Sequence, residues 1–513
     1  MKVQILVTLR IIVCTFLIVP IARPIPTLRT DVTGQEQQIS LSGWFHVIEG
    51  DVIEGSTLMA ISPVSGLVDD KGYWTPLDID EKLTQPFGGL SALNGKRVNI
   101  VGVLSSLSNT DAPEVQPLQK ALIRVVSIEL MQSTISAGST NMAGVTGSKP
   151  WLMLLCRAPD SYVLSSDALS FYGKVIGSEY PGLDHYWREV SYNNINLTGS
   201  QVAGWYMLPN PSSYYWTFNG ASYYFDLERV TNDCTAAADA DVYFPGFSGI
   251  SIILPAPQSY EWRPCSQGGS WTLNIDGQTR NYGFIWIPHE IGWTPDGSGQ
   301  GVSILGHEMA HAFGLPHSSG PYSNTYDSSW DVVSGTLWGY PCNPTDPIYV
   351  CIYQHTISYH KDRLGWIPAS RKYVASQNSQ ATITLERLAL PSTGNYLMAQ
   401  IPIAGSSSHF YTVEARRFAG YDSQLPGEAV IIHDVDTTRS DRLAQVVDID
   451  GNGNPNDAGA MWIPGEIFTD AANGVEIRVN SATTTGFEIT ISLTHTVIAN
   501  GFTVYLPVIT NGP

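Results

Sequence analysis

Residues 306–317 read GHEMAHAFGLPH, so His307, Glu308, His311, Gly314 and His317 spell HExxHxxGxxH. Each fixed position has a chemical job. His307 and His311 are four residues apart, so on a helix their side chains share one face, one turn apart. That spacing lets two imidazoles hold one zinc ion, with Glu308 free to face a metal-bound water. Gly314 can adopt the left-handed conformation that ends a helix and turns the chain. Pro316 stiffens the turn, and His317 can then return as a third ligand. Three protein ligands leave the fourth position open, which marks a catalytic rather than a structural zinc site. A histidine on a helix is ordinarily just a satisfied polar residue. With only 11 His in 513 residues, however, five fixed positions rarely coincide by chance. The other HE pair, His289-Glu290, has Trp293 where the second ligand would stand.

The sequence around this helix predicts an α+β protein. Upstream, WLMLLCRAPD from Trp151 and GISIILP from Gly249 read as buried strands. Residues 166–191 carry helical spacing, and LERVTNDCTAAADADVYF reads as a helix. NYGFIWIP (residues 281–288) is a candidate edge strand for an extended substrate, and equally an ordinary sheet member. Val302, Leu305, Met309, Ala312 and Phe313 recur at helical spacing and should face the core. Alternating strands and helices before a metal-bearing helix predict a mixed-sheet catalytic domain over residues 150–370. Residues 23–131 contain short apolar runs between Gly and Asp turns, which predicts a small β-domain of the OB-like kind and a candidate pro-region. STISAGSTNMAGVTGSKP (132–149) reads as a linker, and the apolar runs of residues 371–513 as a β-sandwich.

The chain begins MKVQILVTLRIIVCTFLIVPIARP. Lys2 and Arg10 precede an apolar stretch too short to span a bilayer, so residues 1–22 read as a secretory signal peptide. Its removal takes both cations with it and lowers the net charge from −19 to −21. Such a surface repels nucleic acid and anionic membranes, and predicts neither nucleic-acid binding nor stable membrane insertion. It leaves the oligomeric state open. Only 14% of residues are charged, and Gly and aromatics are plentiful, the texture of a folded, β-rich extracellular protein.

Export permits disulfides. Cys342 and Cys351 bracket a short Pro-containing loop and are expected to pair. Cys234 and Cys265 would then pair, leaving Cys156 as a buried thiol, although spacing alone does not establish connectivity. In the C-terminal part, DIDGNGNPND places Asp448, Asp450 and Asn452 at alternate positions with Gly453 next. Asn454 could add its backbone carbonyl, and Asn456 or Asp457 a further oxygen, making a candidate calcium loop. Position 12 is Gly459 rather than Glu, and no helical pattern flanks it, so it is no EF-hand; the alternative is a solvated Asn/Gly turn.

With these residues in hand, the chain resembles the metzincin-type zinc metalloproteases, whose long signature is matched at His307, Glu308, His311, Gly314 and His317. Within them it is similar to secreted peptidases related to gametolysin and to bacterial immune inhibitor A, through REVSYNNINLTG followed by GWYMLP, the Ala/Asp-rich helix before FPGFSGISIILP, and YHKDRLGWIP. The resemblance implies a zinc endopeptidase acting on extracellular proteins or peptides, with Glu308 as general base. It also implies a methionine in a tight turn beneath the metal. Here that position is Val333, in DSSWDVVSG. A tyrosine that approaches the metal in some relatives would fall at Gly335, so that role passes to no residue there; Tyr326 and Tyr340 are the nearby candidates. Two other readings remain at this level: a catalytically inactive binding protein, and a zinc hydrolase of a non-peptide substrate.

Overall fold

The computed structural model describes residues 38–54, 57–105, 122–131, 144–161, 167–218, 223–255, 266–287, 302–322, 324–335, 349, 351–494, 496–499 and 502–505. The leader 1–22, most of the linker, Cys265, Tyr340 and Cys342 lie outside them. The protein is mixed α+β and strand-rich, with few helices.

Five strands form a closed ring at the N-terminal end: β1 (Gln38–Glu54), β2 (Thr57–Val68), β3 (Trp74–Asp78), β4 (Arg97–Ser105) and β5 (Leu122–Leu130). β1 pairs antiparallel with both β2 and β4, β4 with β5, and β5 runs parallel to β3. Alternate residues point inward, as strand geometry requires: Phe45, Val47, Leu67, Leu77, Val98 and Ile100 share the barrel's apolar interior.

The barrel continues into a second sheet. β6 (Trp151–Arg157), β7 (Gln201–Met207) and β8 (Gly249–Ile253) run parallel to one another, and β9 (Gln267–Ile275) and β10 (Gln278–Ile287) complete the sheet in the order β9-β10-β8-β6-β7. β9 is antiparallel to β10. The run WLMLLC is buried at every position because both faces of this sheet are covered. Trp151, Met153 and Leu155 pack with Leu305 and Met309 on one face. Leu152, Leu154 and Cys156 pack with Leu227 and Val230 on the other. The candidate edge strand of residues 281–288 is β10 for its described part, and it is interior, between β9 and β8. β9 is interior too, because its other side pairs with barrel strand β1 (Ile48 opposite Gly269, Glu49 opposite Gly268, Gly50 opposite Gln267), and the strand at this end of the sheet is β7. One ten-stranded sheet therefore joins the barrel strands to β6–β10.

Four helices matter for the site: α1 (Leu183–Val190), α2 (Leu227–Ala238), α3 (Ser303–Ala312) and α4 (Ser358–Arg363). α2 begins at Asp226, whose side chain accepts from the Arg229 amide as an N-cap. Cys234 on α2 is bonded to Cys156 on β6, with Cα atoms 6.1 Å apart. This corrects the expected Cys234–Cys265 pair and the expected free thiol at Cys156: the two sulfurs meet because strand and helix pack on the same face of the sheet. Cys351 is also disulfide-bonded.

At the C-terminal end a six-stranded and a four-stranded sheet share one core. Strands Met398–Pro402, His409–Arg416 and Ala429–Asp436 contribute from one side, and Ser379–Glu386, Val475–Ala482 and Gly486–Leu493 from the other. The six-stranded sheet also takes in Ser318–Ser319, which pair parallel with Ala444 and Gln445. The residues directly after His317 thus belong to the C-terminal sheet. No helix among the described residues is long and apolar enough to cross a membrane.

Candidate metal centre

α3 is a buried helix, with residues 303–311 all inaccessible or nearly so. Val302, Leu305 and Met309 are fully buried as expected, while Ala312 and Phe313 are partly buried against the same core. No side chain caps its first turn. The Val302 and Ser303 amides donate instead to the carbonyls of Tyr349 and Cys351, which satisfy the helix N-terminus. Gly314 has φ of +93°, and the chain reverses there to bring His317 back.

His307, His311 and His317 converge, with one candidate ligand atom from each within 4.8 Å of the others. His307 Nδ1 lies 2.8 Å from the Val332 carbonyl, and His311 Nδ1 lies 2.7 Å from that of Leu315. A carbonyl only accepts, so each imidazole carries its proton on Nδ1 and turns the lone pair of Nε2 inward. The two Nε2 atoms are 2.9 Å apart. Two lone pairs aimed at one point repel, and a cation between them removes the conflict. The donor set therefore fits a nitrogen-liganded divalent ion such as zinc. The third ring has its Nε2 3.3 Å from the Tyr326 hydroxyl and its Nδ1 3.5 Å from Glu49 Oε2 and 3.8 Å from Asp441 Oδ1.

Glu308 is fully buried beside the triad. β9 passes so close that a Cβ on Gly268 would lie 2.3 Å from the Glu308 carbonyl oxygen and 2.9 Å from its Oε2. Only glycine permits that approach. On the opposite side lies the turn of residues 326–335. Val333 is buried in the core that contains Met309 and Tyr326, and Val332 presents the carbonyl that orients His307. The turn is held by Asp331, whose carboxylate accepts from Ser318 Oγ at 2.7 Å and Thr356 Oγ at 2.8 Å and faces His360 Nδ1 at 2.8 Å. Burial would raise the Asp331 pKa, but His360 and the two hydroxyls outweigh it and hold the carboxyl well below its usual range.

Of the tyrosines considered from sequence, Tyr326 reaches the centre. Glu49, Asp441, Asp331 and His360 were missed. Glu49 and Asp441 lie far from the motif in the chain and no local pattern marks them; Asp331 and His360 fall in DSSWDVVSG and YHKDRLGWIP, where nothing local pairs them. A cleft of about 350 Å³ opens between barrel and C-terminal sheets, lined by Glu49, Pro316, Arg363 and Asp441 among others. Burial works against ionisation of Asp441 too, yet the nearby His317 and Arg442 keep its carboxyl below the ordinary range.

The candidate calcium loop gathers part of its expected oxygens. Carboxylate atoms of Asp448, Asp450 and Asp457 lie within 4.8 Å of one another. The side-chain NH2 groups of Asn452 and Asn454 donate to Asp457 Oδ2 at 2.8 and 3.2 Å. The loop also supports the metal centre. The Asn456 side chain accepts from the Ser329 amide at 2.7 Å and donates to the Asp327 carbonyl at 2.5 Å, and Pro455 accepts from Trp330 Nε1 at 3.0 Å. Burial pushes the Asp448 carboxyl up, with Asp450 adding to the effect.

No protein-family model matches this chain, and no curated protein matches it.

Proposed function

We propose that this protein is a secreted, zinc-dependent endopeptidase of the metzincin type, acting on extracellular proteins or peptides. The observation that carries the reading is the convergence of His307, His311 and His317 with Nε2 atoms turned inward and buried Glu308 adjacent. The antiparallel strand β9 passing close to α3 supports it, as does buried Val333 next to the Val332 carbonyl that orients His307. We read the five-stranded ring as OB-like.

The three imidazoles would hold the ion. Bound zinc would supply Lewis acidity to a water molecule and to the scissile carbonyl. Glu308 takes the proton from the attacking water and later delivers it to the departing amide nitrogen. Tyr326 Oη, beside His317, donates a hydrogen bond to the oxyanion as it forms. The carbonyls of Val332 and Leu315 fix the tautomers of the first two ligands.

Casein zymography with metal analysis tests this reading. The wild type should clear casein and carry about one zinc per chain, as a three-His site with an open fourth position implies. Glu308→Gln should retain zinc and fold while proteolysis falls by at least ~10²-fold, because the proton acceptor is gone. Near-wild-type turnover in that variant refutes the role of Glu308. Wild-type protein that binds zinc but cuts no peptide bond refutes the endopeptidase assignment.

A further inference from the structure

His307 and His311 are oriented by main-chain carbonyls near α3, but His317 is treated differently. Among the described residues, two carboxylates from distant parts of the chain lie near its Nδ1: Glu49 on barrel strand β1 at 3.5 Å, and Asp441, just before the C-terminal strand Ala444–Val446, at 3.8 Å. We propose that Glu49 and Asp441 are positioning residues that hold His317 with Nε2 toward the metal, so that the triad is complete only when barrel and C-terminal unit are both in place. The inference rests on the metal-site reading above. It goes further in making the barrel a working part of the enzyme rather than the removable pro-region that the sequence allowed.

Strand geometry aims Glu49. Side chains alternate across a strand, and residues paired across strands point to the same face. Glu49 stands opposite Gly268, whose missing Cβ would point at Glu308, so the Glu49 side chain projects toward α3. Its neighbour Ile48 points the other way, into the core with Trp74 and Trp271. The pairing of β1 with β2 shifts register between Ile48 and Gly50, a bulge of the kind that re-aims a side chain beside a site. Gly268 also leaves the space that a side chain would have filled.

Energetics give the placement meaning. Glu49 is 6% exposed. A buried carboxylate is costly unless paired, and the site offers the partner: an imidazole N–H that becomes strongly polarised once the ring ligates a cation. A carboxylate on the far nitrogen of a ligating histidine fixes its tautomer and ring orientation and raises its basicity. Asp441 arrives by a separate route. Ser318 pairs with Ala444, so the strand that follows the third histidine draws Asp441 to it. His317 therefore has carboxylates near it from both the barrel and the C-terminal part of the chain.

The barrel's other contacts agree with a permanent role. Ile48, Val68 and Trp74 belong to the same buried cluster as Trp271 and Trp286 of the catalytic sheet. The Trp74 amide donates to Glu228 Oε2 on α2 at 3.0 Å.

The test is competition for Zn²⁺ between a chelator and the full-length chain, in wild type, Glu49→Gln, Asp441→Asn and the double variant, with apo-protein melting curves as the folding control. Each single variant should bind zinc about 10–100-fold more weakly at unchanged melting temperature. Glu49→Gln made in a His317→Ala background should have no further effect on zinc affinity, because its route to the metal is already cut. A merely structural role would not show that dependence. Should Glu49→Gln prove unstable, Glu49→Asp, which keeps the charge but shortens the reach, should bind zinc with an affinity between those of wild type and Asp441→Asn/Glu49→Asp. Zinc affinities within twofold of wild type in all variants overturn the inference and leave the metal site standing. A wild type that binds no zinc overturns both.

Discussion

Lowering the pH from 7 to 5 should loosen this protein through one buried imidazole, His46. The ring is fully buried between β1 and β9. Its Nδ1 lies 2.8 Å from Ser270 Oγ, and its Nε2 lies 3.2 Å from Thr272 Oγ. Ser270 gives its own proton to Asn94 Oδ1 at 2.8 Å, so its oxygen accepts from His46 Nδ1–H, and Nε2 is left to accept from Thr272. This chain needs a neutral ring. Burial lowers the His46 pKa from 6.5 to about 3. The unfolded chain takes up a proton near pH 6.5, whereas the folded chain does not until near pH 3, so the contribution is present above 6.5 and drains away as the pH falls between those values. Full loss would be about 5 kcal/mol, and linkage places about 2 kcal/mol of it between pH 7 and pH 5. Urea unfolding at pH 7, 6 and 5, followed by tryptophan fluorescence at constant ionic strength, should show the wild-type midpoint falling. In His46→Gln, which keeps hydrogen-bonding capacity but cannot titrate, the fall should be smaller by about that 2 kcal/mol. The buried His355 and His433, whose pKa values burial also lowers, are present in both proteins and cancel in the difference. Superimposable pH dependences for the two proteins would refute the assignment.

Removing the Cys156–Cys234 bond with Cys156→Ser should destabilise the protein by about 4 kcal/mol in the chain-entropy picture, since the bridge spans 78 residues; thermal melting with and without reductant checks it, and equal melting points would contradict it. Gly268→Ala should cost about 1–3 kcal/mol and depress peptidase activity, because the new methyl meets the Glu308 carbonyl at 2.3 Å; unchanged stability and turnover would show that β9 can retreat from α3. If the carboxylates of Asp448, Asp450 and Asp457 hold calcium, then adding millimolar calcium to chelator-treated protein should raise the melting temperature by mass action, and Asp457→Asn should blunt the rise. An unchanged melting curve leaves a loop satisfied by its own Asn and Asp side chains.

What the sequence determined by itself was local. The i, i+4 spacing of His307 and His311, the turn at Gly314 and the buried runs WLMLLC and GISII each depend on residues within a few positions, where helix and strand periodicities act directly. The α+β texture was legible for the same reason. The tertiary structure decided what depends on which surfaces meet. Cysteine spacing favoured neighbours, but Cys156 pairs with Cys234 because a strand and a helix pack on one face of the sheet. The run from residue 281 left edge and interior positions both open, and β10 is interior, because whether a strand is outermost depends on partners supplied elsewhere in the chain. Glu49 and Asp441 carry no mark in the sequence at all. They reach His317 only because β1 docks on β9 and Ser318 joins a C-terminal sheet, and a side chain acquires such a role from geometry that no local spacing encodes.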